Sequence, residues 1–159
     1  MRAGSLTAEA LIDAMRRGDF YASSGVTLRD VRFDSDNGEL TVEVEPDGEA
    51  TYTVEFVGTL KGYDASSEPV LDENGKPLNV THRYSDDVGT SLKTVEGTTA
   101  TYRLTGDELY VRAVVTSSKP ADNPSWQDQK RQAWTQPVGW GKWIDTRGDS
   151  AGSQEGRKP

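Results

Sequence analysis

The strongest constraint on this chain is a two-residue alternation of apolar and polar side chains, interrupted by glycine-containing turns. It runs through residues 40–45 and 52–56, which are bracketed by Asn37-Gly38 and Asp47-Gly48. Alternation of this kind is typical of strands that bury one face. Asn-Gly and Asp-Gly supply the positive φ angles that tight hairpins need. The pattern therefore predicts an antiparallel meander of three strands over residues 26–58.

A helical repeat of apolar residues stands before the strands. Its apolar side chains are Leu6, Ala10, Leu11, Ala14 and Met15. Ser5 or Thr7 can cap this helix, and Arg16, Arg17 and Gly18 are typical of a helix end. A helix of about 11 residues is too short to be stable alone. We therefore expect its apolar stripe to pack on the sheet or on a part of the protein outside this chain.

The remainder of the chain predicts further strands and loops. The candidate strands are residues 80–84, 91–95, 99–104 and 109–116. The last of these is the most apolar run in the chain, which indicates a central strand. Residues 59–78 are rich in Gly, Asp, Ser and Pro and predict a long surface connection with room for a short hairpin. Residues 125–134 are compatible with a short helix.

We therefore predict an all-β fold, an antiparallel β-sandwich of jelly-roll or immunoglobulin-like type. The domain boundaries that we expect are a linker helix over residues 1–19, the sandwich over residues 20–144 and a disordered tail over residues 145–159. The tail lacks Leu, Ile, Val and Phe, which is typical of disorder.

The aliphatic content conflicts with this fold at first sight. Leu, Ile, Val and Phe make up 29 of the 159 residues, below the roughly 20% that marks disordered chains. Thr, Tyr and Trp are abundant, however, and these residues fit a pleated, half-buried surface. A thin core between strands that each bury one face reconciles the two observations.

Composition also excludes several classes of function. The net charge of −8 argues against a nucleic acid or an anionic membrane as partner. No cysteine is present, so disulfides, thiolate catalysis and cysteine-based zinc sites are excluded, and the single His82 rules out a histidine-rich metal site. We therefore expect no cofactor and no metal. No apolar run approaches the ~18 residues of a membrane-spanning helix, although a signal segment on a longer precursor stays possible.

Two motifs have ordinary interpretations that we favour. Residues 34–39 resemble a calcium loop, but Gly38 falls at the fifth position instead of the sixth, so a hairpin turn is favoured. Four serines are conceivable nucleophiles with His82 as base: Ser23, Ser24, Ser117 and Ser118. No Gly-x-Ser-x-Gly elbow accompanies them, so we interpret His82 as a strand residue on a solvated face.

The late tryptophans allow two interpretations. They are Trp126, Trp134, Trp140 and Trp143. Exposed indole faces can stack on sugar rings, as in a carbohydrate-binding module. We favour the alternative that these rings close the edge of a core short of large aliphatic residues.

Two segments resemble a known family. Residues 11–26, LIDAMRRGDFYASSGV, resemble the junction that follows the catalytic barrel in a branch of PHP-type (polymerase and histidinol phosphatase) metal-dependent phosphoesterases. A second set of residues is similar to the C-terminal end of the same proteins. This set comprises Tyr110-Val111-Arg112-Ala113, Ser117-Ser118, Asn123-Pro124 and residues 133–137, AWTQP. The strands between these segments match in pattern alone.

The resemblance implies the C-terminal β domain of such a protein. The family's activity depends on several histidine and carboxylate ligands that hold metal ions in the barrel, and this chain has one histidine and no His-x-His pair. We therefore expect a non-catalytic accessory domain whose partner is the catalytic barrel. The alternative is an independent carbohydrate-binding β-sandwich that uses exposed tryptophans, with a glycan as partner. A hydrolase whose metal is held by carboxylates alone is a third, weaker possibility.

Six residues are candidates for contacting a ligand or the absent barrel: Tyr21, Ser23, Ser24, Arg112, Trp134 and Gln136. No catalytic residue and no metal ligand is assigned from the sequence.

Overall fold

A computed structural model describes residues 4–141, except for the side chain of Val80. The elements in chain order are α1 (Ala8–Arg17), β1 (Tyr21–Ser23), β2 (Leu28–Asp34), β3 (Glu39–Val44), β4 (Tyr52–Leu60), β5 (Ser67–Leu71), β6 (Pro77–Tyr84), β7 (Thr90–Glu96), β8 (Thr99–Arg103), β9 (Glu108–Pro120) and β10 (Lys130–Thr135). The disordered tail expected over 145–159, and Trp143, lie outside the described residues.

The strands build an antiparallel sandwich, as expected. The larger sheet has the order β1-β10-β9-β4-β7, the smaller sheet has the order β2-β3-β8, and β5 pairs with β6 separately. One hydrophobic core lies between the two main sheets, because its buried side chains come from both of them. The prediction of an all-β sandwich with one short N-terminal helix is confirmed.

Alternation decides which side chains enter the core. Leu40 and Val42 on β3 are fully buried, as are Val54 and Phe56 on β4. The Phe56 ring also contacts Tyr102 of the opposite sheet, with ring centroids 5.5 Å apart. Residues between these positions point away from the core, so each sheet keeps one solvated face.

The predicted meander over residues 26–58 is wrong at its third strand. β2 and β3 form the expected hairpin, but β4 crosses to the larger sheet and lies between β9 and β7. β3 takes β8 as its second neighbour instead. An alternating strand must bury one of its faces. It can do so as a hydrogen-bonded neighbour of β3 in the same sheet, or in the opposite sheet, where it faces β3 across the core. The local pattern therefore does not distinguish the two arrangements.

The prediction from sequence is correct for β9 and wrong for β10. β9 lies in the centre of the larger sheet, as its apolar run predicted. The short helix expected over residues 125–134 is wrong, because β10 begins at Lys130 and buries Ala133 and Thr135 on its core face. Asp128 has a φ of 62°, which interrupts a right-handed helix before that strand.

The helix ends agree with the expectation from sequence. Thr7 caps α1, because its hydroxyl oxygen accepts a hydrogen bond from the Ala10 N–H at 3.3 Å. Gly18 ends the helix in the left-handed conformation, with a φ of 75°.

The connection between β4 and β7 contains the expected hairpin. β5 and β6 pair with each other outside the two main sheets, and most of their described side chains are exposed. The base of this hairpin is held by Ser85, whose hydroxyl donates to the carbonyl oxygen of Asp64 at 2.6 Å. His82 lies exposed on β6, as expected, and its Nδ1 is 3.1 Å from the Ser67 hydroxyl oxygen.

Candidate functional site

A cleft of about 740 Å³ lies on one side of the sandwich. β1 is an edge strand of the larger sheet and β2 is an edge strand of the smaller sheet, and the cleft lies along β2 beside the start of β1. The end of α1 and the segment 136–140 after β10 complete its walls. Two parts of the chain that are distant in sequence, residues 17–33 and 136–140, therefore meet there.

Aromatic side chains supply much of the cleft's apolar surface. They are Phe20, Tyr21, Phe33 and Trp140. Tyr21 and Phe33 also pack against the edge of the hydrophobic core, so the cleft reaches the side of that core. Trp140 is the most exposed of the four rings, with 49% of its surface accessible. About half of this residue's surface is therefore accessible to solvent at the cleft.

The segment that carries Trp140 is held firmly by contacts on both sides. Val138 exchanges two backbone hydrogen bonds with Val111 of β9, at 2.8 and 3.0 Å. Gly139 has a φ of 85°, and a Cβ atom there would lie only 2.8 Å from a methyl carbon of Leu104. The indole N–H of Trp140 donates to the carbonyl oxygen of Pro137 at 3.2 Å. These contacts hold the ring at the mouth of the cleft.

Charged side chains at the cleft are arranged as ion pairs. Arg17 Nε lies 2.7 Å from a carboxylate oxygen of Asp19, and both residues line the cleft. Arg29 donates two hydrogen bonds to the Glu45 carboxylate, at 2.8 and 3.1 Å. This pair raises the pKa of the Arg29 guanidinium and lowers the pKa of the Glu45 carboxyl. The positive charges of both arginines are thus balanced within the protein.

A third arginine of the cleft contacts two carboxylates. Arg32 lies 3.6 Å from Asp30 and 3.9 Å from Glu43. The three side chains lie on the solvated face of the β2–β3 pair, where Glu43 is paired with Asp30 across the strands. Asp30 and Arg32 line the cleft. The polar side of the cleft therefore carries both charge signs and no large excess of either.

The structure brings together two of the six residues that the sequence suggested as a site. Tyr21 and Gln136 both line the cleft. The Tyr21 hydroxyl oxygen accepts a hydrogen bond from the Leu28 N–H at 3.1 Å, which ties β1 to the start of β2. Gln136 lies beside the helix end, since a Cβ at Gly18 would be 3.8 Å from its Cγ.

Ser23 and Ser24 stabilise the crossing from β1 to β2. The Ser23 hydroxyl donates to the carbonyl oxygen of Val26 at 2.6 Å and accepts from the Gly25 N–H at 3.0 Å. The Ser24 hydroxyl oxygen accepts from the Gln132 N–H at 3.0 Å. The Ser23 hydroxyl thus stabilises the turn, and the Ser24 hydroxyl connects the turn to β10.

Arg112 and Trp134 lie on the outer face of the larger sheet. Their neighbours Val111, Ala113 and Ala133 point into the core, so alternation directs these two side chains the other way. Trp134 is paired with Val114 of β9 and Ala22 of β1. The six candidates therefore divide between the cleft, a turn and an outer sheet face.

The expectation that the tryptophans close the core is wrong for two of them. Trp126 is 62% exposed and Trp140 is 49% exposed. Trp140 lines the cleft, whereas Trp126 is not among its lining residues. The sequence suggested Trp140 only because it is a tryptophan. Nothing in the local pattern predicts that it lines the same cleft as Phe20 and Phe33, which come more than a hundred residues earlier.

The strongest electrostatic perturbation lies at Glu108, the first residue of β9, directly after the turn that follows β8. Burial alone would raise the pKa of this carboxyl, but hydrogen bonds from Tyr102 and from the backbone N–H groups of Thr105 and Gly106 hold it at about 2. Burial and the Glu108 carboxylate raise the pKa of Tyr102 to about 12. The hydrogen bonds from Thr105 and Gly106 to the Glu108 carboxylate close this turn, and Tyr102 also packs against Phe56 in the core, so we assign the pair to stability.

Three further observations concern the described residues. The Asp34 carboxylate accepts hydrogen bonds from the N–H groups of Asp36 and Asn37, at 3.0 and 3.1 Å, so it closes the β2–β3 hairpin turn. Within residues 4–141, no three His, Asp or Glu side chains are grouped so that they could hold a metal ion. The one helix described there is neither long nor apolar enough to span a bilayer.

Comparison of the chain with protein-family models, with curated proteins and with solved structures finds no match.

Proposed function

We propose that this chain is a non-catalytic accessory β-sandwich domain that packs against a neighbouring catalytic domain through α1. The observation that carries the proposal is the exposure of large apolar side chains on that helix. Ala14 is fully buried, but 48% of Ile12 and 56% of Met15 are exposed. Leu6, just before the helix, is 91% exposed.

The geometry of the helix makes these exposed side chains one surface. Ile12 and Met15 are three residues apart and so are neighbours on one side of α1. Ala10, Leu11 and Ala14 lie on the adjacent side and are partly or fully buried. Ala14 is thus covered, whereas Ile12 and Met15 remain largely in water. Contiguous exposed apolar surface of this kind is typical of an interface.

The resemblance to PHP-type proteins gives the proposed partner. The segment 11–26 contains most of α1 and resembles the junction between barrel and β domain in that family. The two resembling segments also lie side by side, because β1 from the first pairs with β10 from the second, and β10 pairs with β9. A catalytic barrel packed on Ile12 and Met15 accounts for the exposed stripe.

The first experiment asks whether the chain is itself an enzyme. The purified chain is incubated with p-nitrophenyl phosphate and Mn²⁺, Mg²⁺ or Zn²⁺ in turn. We expect no turnover above that of the metal ion alone. Metal-dependent turnover that copurifies with the chain would overturn the non-catalytic assignment.

The second experiment tests the helix as the interface. A PHP-type protein that has both motifs supplies the barrel, which is expressed without its own β domain and mixed with this chain, and complex formation is followed by sedimentation velocity. We expect a one-to-one complex that the double variant I12S/M15S weakens at least about tenfold, since it removes the exposed apolar contacts.

The control for that experiment is D13S/R16S, which changes the same number of residues to serine on the solvated side of the same helix. Asp13 and Arg16 are both exposed and 3.9 Å apart. We expect the control to bind as the unmodified chain does. Equal binding by I12S/M15S, or no complex with the barrel, would contradict the proposed interface.

A further inference from the structure

We propose that the cleft between β1 and β2 binds an uncharged saccharide, with the Trp140 indole as the surface on which a sugar ring stacks. This site does not include Ile12 or Met15 and does not depend on the interface proposed for α1. The volume of about 740 Å³ falls within the ~300–1,000 Å³ that small-molecule sites span.

Trp140 has the properties that stacking requires. The face of an aromatic ring carries partial negative charge and attracts the partly positive C–H groups on one face of a pyranose ring. The Trp140 ring is 49% exposed, and its N–H is held by the Pro137 carbonyl oxygen at 3.2 Å. The ring is thus both accessible and oriented before a ligand arrives. A preoriented ring lowers the entropic cost of binding.

Polar groups beside the rings suit the hydroxyl groups of a sugar. The Gln136 amide offers two donors and an acceptor, and the Asp19 carboxylate offers acceptors. A sugar hydroxyl both donates and accepts, so it can bond to either group. Phe20 and Phe33 line the same cleft and add apolar contact. Apolar rings next to planar polar groups match a ligand that has one apolar face and a rim of hydroxyls.

The charge arrangement favours an uncharged ligand. Arg17 is paired with Asp19, and Arg29 is paired with Glu45 through two hydrogen bonds. Arg32 lies within 4.0 Å of two carboxylates. An anion would have to compete with these carboxylates for the guanidinium groups, whereas a neutral sugar can use the pairs as donors and acceptors without breaking them.

The test is binding of neutral oligosaccharides to the full chain. Cellohexaose, xylohexaose, mannohexaose, maltohexaose and chitohexaose are each titrated while tryptophan fluorescence and the indole N–H signals in ¹H–¹⁵N spectra are recorded. We expect at least one probe to shift the Trp140 indole signal, with an affinity that sodium chloride changes little because no net charge is neutralised.

Two variants locate the site. W140A removes the stacking face, and we expect it to weaken binding by about tenfold or more, whereas W140F restores part of the affinity by keeping an aromatic ring. W126A is the matched control, because Trp126 is more exposed, at 62%, and lies outside the cleft. We expect W126A to bind as the unmodified chain does.

Three results would overturn the proposal. One is the absence of binding by all five probes at millimolar concentration. The second is equal loss of binding in W140A and W126A, which would place the sugar elsewhere. The third is recognition of an extended peptide that adds to the free edge of β2, seen as shifts of the β2 amide signals with no saccharide effect on Trp140. None of these results depends on the barrel-binding experiment.

Discussion

The two lateral sides of the sandwich differ in how completely they are closed. On one side β7 and β8 are joined by a short turn, and three hydrogen bonds link neighbouring segments: Gly97 N–H to the Tyr52 carbonyl, Val44 N–H to the Thr98 carbonyl and Lys93 Nζ to the Thr101 carbonyl. On the other side β1 also crosses directly to β2, yet the cleft lies along β2.

The difference between the two sides indicates that one of them mainly stabilises the fold while the other leaves aromatic surface exposed. On the closed side, Phe56 and Tyr102 meet across the core, and Glu108 fastens the following turn. On the open side, Phe33 and Tyr21 are only partly buried at the margin of the core. Apolar burial supplies most of the stability of a fold, so we expect the closed side to contribute more stability. The open side keeps aromatic surface available for a ligand.

The largest expected effect compares one phenylalanine from each side. Phe56 is fully buried and contacts Tyr102. We expect F56A to lower the free energy of unfolding by about 3–5 kcal/mol, because it leaves a cavity in the core. F33A should cost about 1–2 kcal/mol, because its ring is already partly in water. Urea unfolding of both variants measures the two values, and equal losses would break the comparison.

The next effect concerns Glu108, whose pKa is held at about 2, well below its ordinary value of 4.5. Because the folded state lowers this pKa, the carboxylate stabilises the fold above about pH 4.5, and that contribution is lost as the pH falls towards 2. A difference of this size corresponds to about 3 kcal/mol at about 1.4 kcal/mol for each pH unit. We therefore expect E108Q to cost up to about 3 kcal/mol at neutral pH.

The pH dependence distinguishes this role from a general packing defect. The difference between the unmodified chain and E108Q should fall by more than half at about pH 3, measured by urea unfolding across the range. D107N is the control, because the neighbouring Asp107 side chain is 75% exposed and should change stability by less than about 0.5 kcal/mol. A pH-independent loss in E108Q would show that the charge is not what stabilises the turn.

The smallest effect tests the segment that forms the wall of the open side. Gly139 has a positive φ, and a Cβ there would meet Leu104 at 2.8 Å. We expect G139A to cost about 1–2 kcal/mol, because a left-handed backbone disfavours other residues and Leu104 must move. We also expect it to weaken saccharide binding, since Trp140 follows directly.

Gly141 provides the matched control for that substitution. A Cβ at this position meets nothing within 4 Å, and its backbone does not have a positive φ. G141A should therefore leave both the free energy of unfolding and binding unchanged. If G139A and G141A behave alike, the rigidity assigned to residues 136–140 is wrong.

Much of the local structure followed from the sequence. The helix was located with Gly18 at its end and with Ser5 or Thr7 as its cap, of which the structure has Thr7. The hairpin of β2 and β3 was located by alternation around Asn37-Gly38. The central place of β9 followed from its unbroken apolar run. These features depend on residues close together in the chain, and so local patterns contain them.

The errors arose where a choice depends on distant parts of the chain. β4 was expected beside β3 but pairs with β9 and β7. Residues 125–134 were compatible with a short helix, but residues from Lys130 onwards form β10, which joins β1 to β9. Short segments with mixed propensity take the structure that their neighbours offer. The cleft depends on distant residues even more clearly, because its walls come from residues 17–33 and 136–140.

The sequence alone determined that this chain forms short antiparallel strands with one buried face each, preceded by a capped amphipathic helix. It determined this because periodicity, turn residues and caps act over a few neighbouring positions. The tertiary structure decided which strands share a sheet, that Trp140 faces a cleft while Trp134 lies on an outer face, and that Ile12 and Met15 remain uncovered. Burial and pairing depend on which distant surfaces meet, and that choice is made by the whole core at once.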